Sequence, residues 1–545
     1  MRNNKSAFTI VELLVVIVVI GILAAITVVS YSGVQNKAIV SNLQSELDQN
    51  SKQLKMYNVE YGYYPSALDE HYCPTTPKAD NRYCLKASQT TILSYSGGGQ
   101  VFSLVDTHST SKISYKITEN SAPTAYSVAD SFIKTSGTTS GDQSSAVIEL
   151  DDGSLIAVGE TASVGSGDGS IQKYSSAGTL LWSKTFGSAT GAESTNEVIK
   201  TSDGGFATTG TTNGFGATGN DVFLAKFNAN GDLQWSRTWG NTSDDRGYSI
   251  AQSSDGYLYT GGYTVSNDAI VLKYDLSGNF VWNRIIATSG DDTSVGMTAT
   301  DDNGVVFVGQ GSSSGIRFDR MSSDGTLVWD KIWDGSGLDR LSCVIKAKDG
   351  GFIATGYSNS FESDYKSTLV KFSSDGVFGW MKTIDAGSNS EDGGGVLESD
   401  DGGIVVVGNT KSVGSGLYDV YLSKLDSAGN FVWAKTFGGT GNEYVSGRIF
   451  KTSDNGYAFA GVTNSGDISF GGNDMFVAKY KVDGTINNCP STYCKSHAFT
   501  LVSRTPTFNN GGSTNSNPGT SIKTDATAST VTGSYSPSTR VIAAP

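Results

Sequence analysis

The sequence predicts a multidomain α+β protein with four parts in order. These are one long N-terminal helix, a small α/β head, a large all-β domain of seven repeats and a disordered C-terminal tail. Three observations support this prediction. The chain opens with a long apolar stretch that continues in a helical pattern. From about residue 130, a unit of roughly 50 residues with several short strands recurs along the chain. Beyond Arg504 the sequence is almost entirely Ser, Thr, Asn, Gly and Pro.

Composition excludes several classes of protein. The 545 residues carry a net charge of −14, whereas a surface that binds nucleic acid needs clustered positive charge. The chain has only 3 His and 5 Cys, so histidine-rich metal sites and large disulfide frameworks are also excluded. With 67 Gly, 9 Pro and 10% aromatic residues, the chain is Gly-rich and still able to bury a core. These figures indicate an acidic protein dominated by β-structure.

The N-terminus carries a membrane-spanning pattern. From Phe8 to Val29 the only charged residue is Glu12, and a stretch of this length spans a bilayer as a helix. Arg2 and Lys5 precede it, so the positive-inside rule places the N-terminus in the cytoplasm and the bulk of the chain outside. A carboxylate inside an apolar span is costly unless it is paired, which marks Glu12 as a functional residue.

The segment AFTIVELL at 7–14, followed by GILAAI at 21–26, resembles the N-terminus of type IV prepilins and pseudopilins. The resemblance implies that residues 1–7 are a leader and that a prepilin peptidase cuts between Ala7 and Phe8. It also implies that Phe8 becomes N-methylated and that Glu12 pairs with the amino group of a neighbouring pilin subunit during filament assembly. The sequence departs from the family at Ala7, where Gly is usual, and at Val29, where many members have Pro.

A single helix is expected over residues 8–57, with 8–29 in the membrane, followed by a small head at 58–126. The stretch YGYYPSAL at 61–68 resembles the segment that follows the helix in many pilin-like heads. Its tyrosines are interpreted as packing against the helix, in preference to a sugar-stacking patch. Cys73 and Cys84 flank a short loop, and outside the cytoplasm we expect them to form a disulfide.

Two markers define the repeats. The first is an Asp-Gly or Asn-Gly turn, with its glycine at 153, 204, 256, 304, 350, 402 and 456. The second is a glycine four residues before a tryptophan, at 178/182, 231/235, 278/282, 325/329, 376/380 and 429/433. This period with four short strands per unit predicts a seven-bladed β-propeller over residues 130–486. The units resemble bacterial surface β-propeller repeats with a D-V/A-F-V-A-K…G-N-x-x-W pattern.

The ends of the repeat array predict how the ring closes. The seventh unit stops at residues 481–485 without its tryptophan strand. An extra strand at 131–137 precedes the first unit and matches the tryptophan strand in pattern. We therefore expect this N-terminal strand to complete the last blade by strand exchange, so that no edge is left open.

Function is expected on the loops between second and third strands, at 159–170, 309–315, 356–367 and 461–474. They vary in length and consist of Ser, Gly, Asn, Asp and some Tyr, which suits an extracellular glycan or protein ligand. Catalysis is not expected: residues 130–486 contain no His, which excludes a Ser-His-Asp site there. Cys343 is interpreted as a buried structural thiol. No cofactor or metal site is assigned. Calcium at Asp291-Asp292 or Asp301-Asp302 is left open, but neither pair has the regular ligand spacing of a calcium loop.

The C-terminal part is expected to contain a disulfide-clipped segment at 487–503, with Cys489 bonded to Cys494, and one more strand near 497–502. Residues 504–545 are expected to be a disordered tail because they contain too few apolar residues to pack.

The sequence-based hypothesis is a minor or tip type IV pilin-like protein that displays its propeller for adhesion or recognition. Its expected location is the cytoplasmic membrane, crossed once with the N-terminus inside, and then the pilus at the cell surface. Its expected partners are the prepilin peptidase/methylase, other pilin subunits and an extracellular glycan or protein, but no nucleic acid. Two alternatives remain open: a pseudopilin of a secretion or DNA-uptake machine, and a membrane-tethered propeller enzyme.

The mature N-terminus tests the resemblance directly. In cells with the prepilin peptidase, mass spectrometry of the N-terminal peptide should show a chain that begins at N-methylated Phe8. In cells that lack the peptidase, the same peptide should retain residues 1–7. An intact N-terminus in both strains, or a cut elsewhere, would contradict processing as a prepilin.

Overall fold

The computed structural model describes most of the chain from residue 37 onward. It does not describe residues 1–36, 70, 109–113, 127–130, 163–166, 189–190, 216, 218, 241, 265–267, 288–292, 312–314, 446, 511–513, 517–521, 524–537 and 544–545. The chain divides into two compact units, Met1–Val128 and Ala129–Pro545, and each is considered by itself.

The fold class expected from the sequence is wrong, because the described residues are nearly all β-structure with one α-helix, over residues 37–61. No long pilin helix is shown: residues 8–36 of the expected helix lie outside the described residues. At its other end the helix continues four residues past the expected end at 57 and stops before Gly62, whose φ of 78° suits the position after a helix. Within the described ranges, no helix is both long and apolar enough for a membrane span.

The first unit packs this helix against a small sheet. Its strands and single 3₁₀ turn are Ala67–Leu68, Pro74–Thr76, Asn81–Tyr83 (3₁₀), Thr91–Gly98, Val101–His108, Ser114–Thr118 and Thr124–Tyr126. The last four form one antiparallel sheet. Leu47 and Leu54 on the helix pack in one apolar cluster with Leu93, Leu104 and Ile117 of the sheet. The cluster accounts for the helical apolar spacing in the sequence.

The second unit contains seven antiparallel sheets, here sheets 1 to 7, that follow one another along the chain. Sheet 1 consists of Asp142–Glu149, Leu155–Thr161, Asp168–Tyr174 and Leu180–Phe186. Sheet 2 consists of Glu193–Lys200, Phe206–Thr212, Asp221–Phe227 and Leu233–Trp239. Sheet 3 consists of Arg246–Gln252, Leu258–Tyr263, Ala269–Tyr274 and Phe280–Ala287. Sheet 4 consists of Gly296–Ala299, Val305–Gln310, Ile316–Met321 and Leu327–Trp333.

The remaining sheets follow the same plan. Sheet 5 consists of Asp339–Lys346, Phe352–Ser358, Lys366–Phe372 and Phe378–Asp385. Sheet 6 consists of Glu391–Glu398, Ile404–Thr410, Asp419–Leu425 and Phe431–Phe437. In sheet 7 the first strand is broken into Glu443–Val445 and Phe450–Lys451, followed by Tyr457–Thr463, Asp474–Tyr480 and the upstream Phe132–Gly137. These repeated four-stranded sheets fit a propeller-like domain.

Burial orders the strands from the centre outward. The first strands of consecutive sheets lie against one another, and the third strands of sheets 1, 2 and 6 are buried along their whole length. The fourth strands are less buried, with partly buried and exposed residues in their first half, so they lie toward the outside. Tight turns join the first strand to the second and the third to the fourth. These turns form one face, the turn face, and the remaining connections form the opposite loop face.

The turns of the seven sheets differ in one detail. In five sheets the glycine of the Asp-Gly pair has a positive φ, as at Gly204 with 82°. In sheets 4 and 7 the residues in this conformation are Asn303 and Asn455, at 63° and 65°, and not Gly304 and Gly456. Asparagine tolerates this conformation better than most residues, so the Asn-Gly turns are displaced by one position from the others.

A basic side chain recurs near the end of the third strand and is buried in five of the seven sheets. Lys226 is 1% exposed, and its Nζ lies 3.0 Å from Oδ2 of Asp203, the turn residue of the same sheet. The same nitrogen donates to the Phe227 carbonyl at 3.0 Å and to Gln234 at 2.8 Å. Equivalent pairs are Asp152 with Lys173, Asp302 with Arg320, Asp349 with Lys371, Asp401 with Lys424 and Asp454 with Lys479.

Several of these basic residues also reach the next sheet. Lys173 donates to the Ala229 carbonyl of sheet 2 at 3.3 Å, and Arg320 donates to the Ser374 carbonyl of sheet 5 at 3.0 Å. In sheet 3, Lys273 donates to the Ser323 carbonyl of sheet 4 at 2.8 Å and lies 4.3 Å from the Tyr257 ring centre. One side chain therefore ties its own turn to the neighbouring sheet.

The tryptophans join neighbouring sheets in the same direction. A Cβ added to Gly231, in a turn of sheet 2, would lie 2.4 Å from the ring of Trp182 in sheet 1. The corresponding values are 2.7 Å between Gly278 and Trp235 and 2.6 Å between Gly484 and Trp433. At Gly325 and Gly429 the side chains of Arg284 and Lys382 take the place of the ring. The glycine of each turn is thus required because a side chain of the preceding sheet covers it.

The upstream strand Phe132–Gly137 takes the fourth place in sheet 7. It pairs antiparallel with Asp474–Tyr480, and Phe132 faces Lys479 as Trp235 faces Lys226 in sheet 2. Phe132 also covers Gly178 of sheet 1: a Cβ added to this glycine would lie 2.7 Å from the Phe132 ring. Sheets 7 and 1 therefore make the contact that other neighbours make. The sheets remain separate, and no single sheet closes on itself within the described residues.

The disordered tail predicted for 504–545 is also wrong for its described residues. Six short strands add to the outer edges of sheets 6, 5, 4, 3, 2 and 7 in that order: Cys494–His497, Thr500–Arg504, Asn509–Asn510, Thr514–Ser516, Ile522–Lys523 and Ser538–Ala543. The second lies close to the strand expected near 497–502, and the last four lie within the predicted tail. Backbone pairing to an outer strand needs no apolar core. Two aromatic residues add packing: Phe499 lies 5.4 Å from the Tyr421 ring, and Phe508 lies 4.8 Å from the Phe372 ring.

Candidate functional site

The inner strands carry a repeated irregularity at the centre of the domain. Sheets 1, 2, 3, 5 and 6 each have one extra residue in the first strand, where the pairing register shifts. The extra residues are Ser145, Asn196, Tyr248, Ser342 and Gly394. Such β-bulges redirect side chains and are frequent near functional sites. Asn196 donates to the Gly247 carbonyl of the next sheet at 2.6 Å, which links neighbouring bulges.

Three pairs of tyrosines lie at the loop-face ends of the strands. Tyr248 and Tyr263 in sheet 3 are stacked, with ring centres 5.5 Å apart and planes at 22°. Tyr357 and Tyr365 in sheet 5 are 5.2 Å apart in an edge arrangement. Tyr418 and Tyr444 join sheets 6 and 7, with ring centres 4.9 Å apart. Five of these side chains are half-buried and Tyr444 is exposed, so the loop face combines aromatic surface with hydroxyl groups.

Charged groups accompany the aromatic pairs. Lys411 Nζ lies 4.2 Å from the Tyr418 ring centre, close enough for a cation–π interaction. Arg246 adjoins the Tyr248–Tyr263 pair, with Asp244 3.5 Å away. Aromatic rings bordered by guanidinium, ammonium and carboxylate groups provide stacking and directional hydrogen bonds in one surface.

Asp392 lies beside this surface on the first strand of sheet 6. Its Oδ1 accepts from the backbone N of Asn409 at 3.1 Å and from Nδ2 of the same residue at 2.7 Å. Asn409 Oδ1 in turn accepts from the Val445 N of sheet 7 at 2.8 Å. Burial raises the pKa of Asp392 to about 6, against the opposing effect of the Asn409 hydrogen bonds. The carboxyl group therefore titrates close to the neutral range.

A second concave region opens on the turn face. It is a cavity of about 450 Å³, with walls that include Val147, Val198, Val396 and Ile449 of the first strands. Lys200, Lys346 and Lys348 line it as well. The size falls in the usual range for small-molecule pockets, about 300–1,000 Å³.

Arg448 crosses the centre of the domain at this cavity. From sheet 7 its Nε pairs with Glu197 of sheet 2, and its terminal nitrogen donates to the Met297 carbonyl of sheet 4. Burial raises the pKa of Glu197 to about 7, and the charge of Arg448 acts in the opposite direction. These contacts hold three sheets together at the axis, so the pair has a structural role whether or not the cavity binds a ligand.

The structure places the sequence-predicted residues as follows. Ala7, Phe8, Glu12 and the Asp291-Asp292 pair lie outside the described residues. Cys73 is bonded to Cys84 and Cys489 to Cys494, while Cys343 is a buried free thiol. Tyr57 contacts the Tyr61 and Tyr83 rings, and Tyr64 contacts Phe102, so the head tyrosines pack on one another and on the sheet.

The candidate calcium residues Asp301 and Asp302 belong to a turn. Asp301 pairs with Lys346, and Oδ2 of Asp302 lies 2.8 Å from Arg320. In the part of the chain that the structure describes, no group of three or more His, Cys, Asp or Glu side chains converges as a metal site. The tyrosine pairs of the loop face were not found from the sequence, because their members are separated by different loop lengths.

Comparison with known proteins identifies the N-terminal signal. Residues 2–28 match the family of the prokaryotic N-terminal methylation motif. The chain therefore carries a type IV pilin-like signal, which implies processing by a prepilin peptidase and points to pilin-type export and a surface location. A segment of 115 residues is 30% identical to the regulatory protein FlaEY of Caulobacter vibrioides, and this match covers 19% of the chain. The chain covers only 12% of the length of that protein.

Solved structures similar to this chain share little sequence with it. The WD40 domain of Neurospora crassa Pan2 matches at a TM-score of 0.39 with 11% identity, over 62% of this chain and 88% of that one. The NanB sialidase of Streptococcus pneumoniae matches at 0.37 with 8% identity, over 71% and 84%. Sqt1 of Chaetomium thermophilum matches at 0.35 with 10% identity, over 65% and 99%. These TM-scores are too low to support an inference about function.

The raised pKa of Asp392 predicts a specific pH dependence. The folded chain holds this proton more tightly than the unfolded chain, so the stabilising contribution is complete below about pH 4 and is lost as the pH rises through about 6. In Asp392→Asn, the free energy of unfolding should therefore fall less between these pH values than in the wild type. Urea unfolding measured across the range tests this, with Asp483→Asn in an exposed turn as the control. Equal slopes in the wild type and Asp392→Asn would contradict the assignment.

Proposed function

We propose that the protein is a minor or tip type IV pilin-like surface protein whose propeller-like domain binds an extracellular glycan on its loop face. The single observation that carries the proposal is the set of three tyrosine pairs at the loop-face ends of the strands. Their rings lie 4.9 to 5.5 Å apart and are joined to a scaffold of hydrogen-bonded sheets. Rigid scaffolds that present loops on one face are frequent sites of recognition.

The chemistry of the loop face favours a glycan. A sugar ring has an apolar face that stacks on an aromatic side chain and a rim of hydroxyl groups that needs donors and acceptors. Tyr248 and Tyr263 offer aromatic surface, and Arg246 and Asp244 lie beside them with opposite charges. The net charge of −14 disfavours polyanionic partners such as nucleic acid. No catalytic step is proposed for this surface.

The place of the protein in a filament follows from size. The propeller-like unit, Ala129–Pro545, is several times larger than residues 37–126, which comprise the helix and the small sheet packed against it. By the size scaling of compact domains, such a unit is on the order of 50 Å across. Repeating it on every subunit of a helical filament would cause crowding, so we assign it to a minor or tip position.

Glycan binding by the purified full-length protein in detergent, measured on a glycan array, tests the proposal. The double variant Tyr248→Ala/Tyr263→Ala should bind its best glycan at least about tenfold more weakly, since loss of a stacked aromatic contact removes about 1.4 kcal/mol. The matched control Tyr248→Phe/Tyr263→Phe keeps the rings and should retain most of the binding.

Two results would contradict the proposal. One is equal glycan binding by the wild type and the Tyr→Ala variant. The other is filaments that consist mainly of this chain, because that composition would exclude a minor or tip subunit. Binding to a protein with no glycan bound at all would favour a protein ligand in its place.

A further inference from the structure

The junction between sheets 5 and 6 contains a cation supplied by the chain itself. Lys366 begins the third strand of sheet 5, and its side chain is 3% exposed. Its Nζ lies 3.0 Å from Asp385 Oδ1 and 3.0 Å from Glu391 Oε2. The same nitrogen donates to the Gly387 carbonyl at 2.7 Å and to the Asn389 carbonyl at 2.9 Å. Two carboxylates and two carbonyls thus surround one positive charge at the loop face.

The junction between sheets 1 and 2 has the same construction without this cation. Asp168 lies five residues before Lys173, as Lys366 lies five residues before Lys371. Glu193 follows Trp182 at the same distance as Glu391 follows Trp380. Glu193 Oε1 accepts from Thr212 Oγ1 at 2.7 Å, and Glu391 Oε1 accepts from the equivalent Thr410 at 3.5 Å. Asp168 in sheet 1 therefore occupies the position that Lys366 has in sheet 5, and the surrounding residues of the two junctions are equivalent.

The geometry at this junction directs carboxylate oxygens toward one point. Gly187 occupies the position of Asp385, and a Cβ added there would lie 2.7 Å from Asp168 Oδ1 and 2.6 Å from Glu193 Oε2. Asp168 is 5% exposed, and its Oδ1 has no hydrogen-bond partner among the residues that the structure describes. Burial raises the pKa of Asp168 to about 6, and the charge of Glu193 adds to the effect. Two buried carboxylates thus lie side by side where sheet 5 has an ammonium group.

We propose that the junction between sheets 1 and 2 binds a calcium ion, held by Asp168 and Glu193 at the position that corresponds to the Lys366 ammonium group. The ligand type supports this assignment, because Ca²⁺ takes oxygen ligands from carboxylates, carbonyls and water in a flexible geometry. The two carboxylates match the charge of a divalent ion. With only two charged ligands, the dissociation constant should resemble that of extracellular calcium modules, about 10⁻⁴–10⁻³ M.

The same arrangement recurs elsewhere in the domain and strengthens the inference. Between sheets 2 and 3, a Cβ added to Gly240 would lie 2.2 Å from Asp221 Oδ1 and 3.0 Å from Asp245 Oδ2. In sheet 4 the third-strand position is Gly315, and a Cβ there would meet Asp334 Oδ1 at 2.2 Å. Asp334 is the counterpart of Gly187, so the carboxylate has moved to the facing strand. A carboxylate thus lies at this point in each of these junctions, and at the junction between sheets 5 and 6 the carboxylates of Asp385 and Glu391 have the ammonium group of Lys366 as their partner.

The test places a lysine ammonium group where the calcium ion is proposed to bind. Full-length protein in detergent is treated with EDTA, and bound calcium per chain is measured by equilibrium dialysis and elemental analysis. In Asp168→Lys, which copies Lys366, the bound calcium should fall by one equivalent per chain. The melting temperature in EDTA should equal or exceed that of the wild type, whereas calcium should raise the melting temperature of the wild type.

A second variant covers the case in which Asp168→Lys does not fold. Asp168→Asn removes one ligand charge without adding a cation, and it should weaken binding of one calcium ion at least about tenfold. Asp483→Asn, in an exposed turn, is the matched control and should bind calcium as the wild type does. Equal stoichiometry and affinity in the wild type and in whichever Asp168 variant folds would overturn the proposal, as would the absence of calcium binding in the wild type at about 10 mM.

Discussion

The structure of the propeller-like domain depends on a basic residue of the third strand, which in six of the seven sheets pairs with a turn aspartate. Lys226 and Lys479 are almost fully buried, and their ammonium groups lie 3.0 Å and 2.6 Å from their turn aspartates. A buried charge without its partner is strongly unfavourable. The pair therefore fixes the turn of its own sheet, and through donors such as Lys173 and Arg320 it also fixes the adjoining turn of the next sheet.

The tryptophan of the fourth strand also contacts the next sheet along the chain, as the basic residue of the third strand does. In most sheets its ring covers the turn glycine of the next sheet, and at Gly325 and Gly429 the side chains of Arg284 and Lys382 do so. Phe132 supplies this ring for sheet 7 although it lies far upstream in the chain. The N-terminal strand therefore connects the last sheet to the first. The six short strands of residues 494–543 then add to the outer edges of six sheets and give their exposed backbone groups partners.

The sequence predicted the parts of the fold that depend on local pattern. The repeated turns, the tryptophan strands and the pairing of 132–137 with the last sheet follow from short motifs. It predicted a strand near 497–502, close to Thr500–Arg504, but missed the strands beyond residue 505, because polar residues held by backbone pairing at a sheet edge leave no periodic signal. Phe499 and Phe508 were the available clues, since each is an isolated aromatic residue in a polar segment. The expected length of the N-terminal helix was not shown either, since the described helix begins at residue 37.

The candidate site was harder to predict for a different physical reason. The loops between second and third strands differ in length, so residues that meet on the loop face have no constant separation. Tyr248 and Tyr263 face each other across one strand pair, whereas Tyr418 and Tyr444 come from neighbouring sheets. The charged junctions differ, because Asp168 and Glu193 keep constant separations from Lys173 and Trp182, but the sequence does not show that both carboxylates lie beside Gly187. The residues that define the chemistry of these sites are brought together by the folded sheets, and their separation along the chain does not reveal these contacts.

The free energy of unfolding of Asp203→Asn tests the central claim most directly. This substitution removes the charge opposite the buried Lys226 ammonium group with little change in shape. The account predicts a loss of about 1.5–3 kcal/mol relative to the wild type, as for a hydrogen bond to a charged group. Asp151→Asn, which breaks an exposed pair with Lys200, should cost less than about 1 kcal/mol. Equal losses in the two variants would show that the pairing of a turn aspartate with the buried Lys226 does not hold the sheets together.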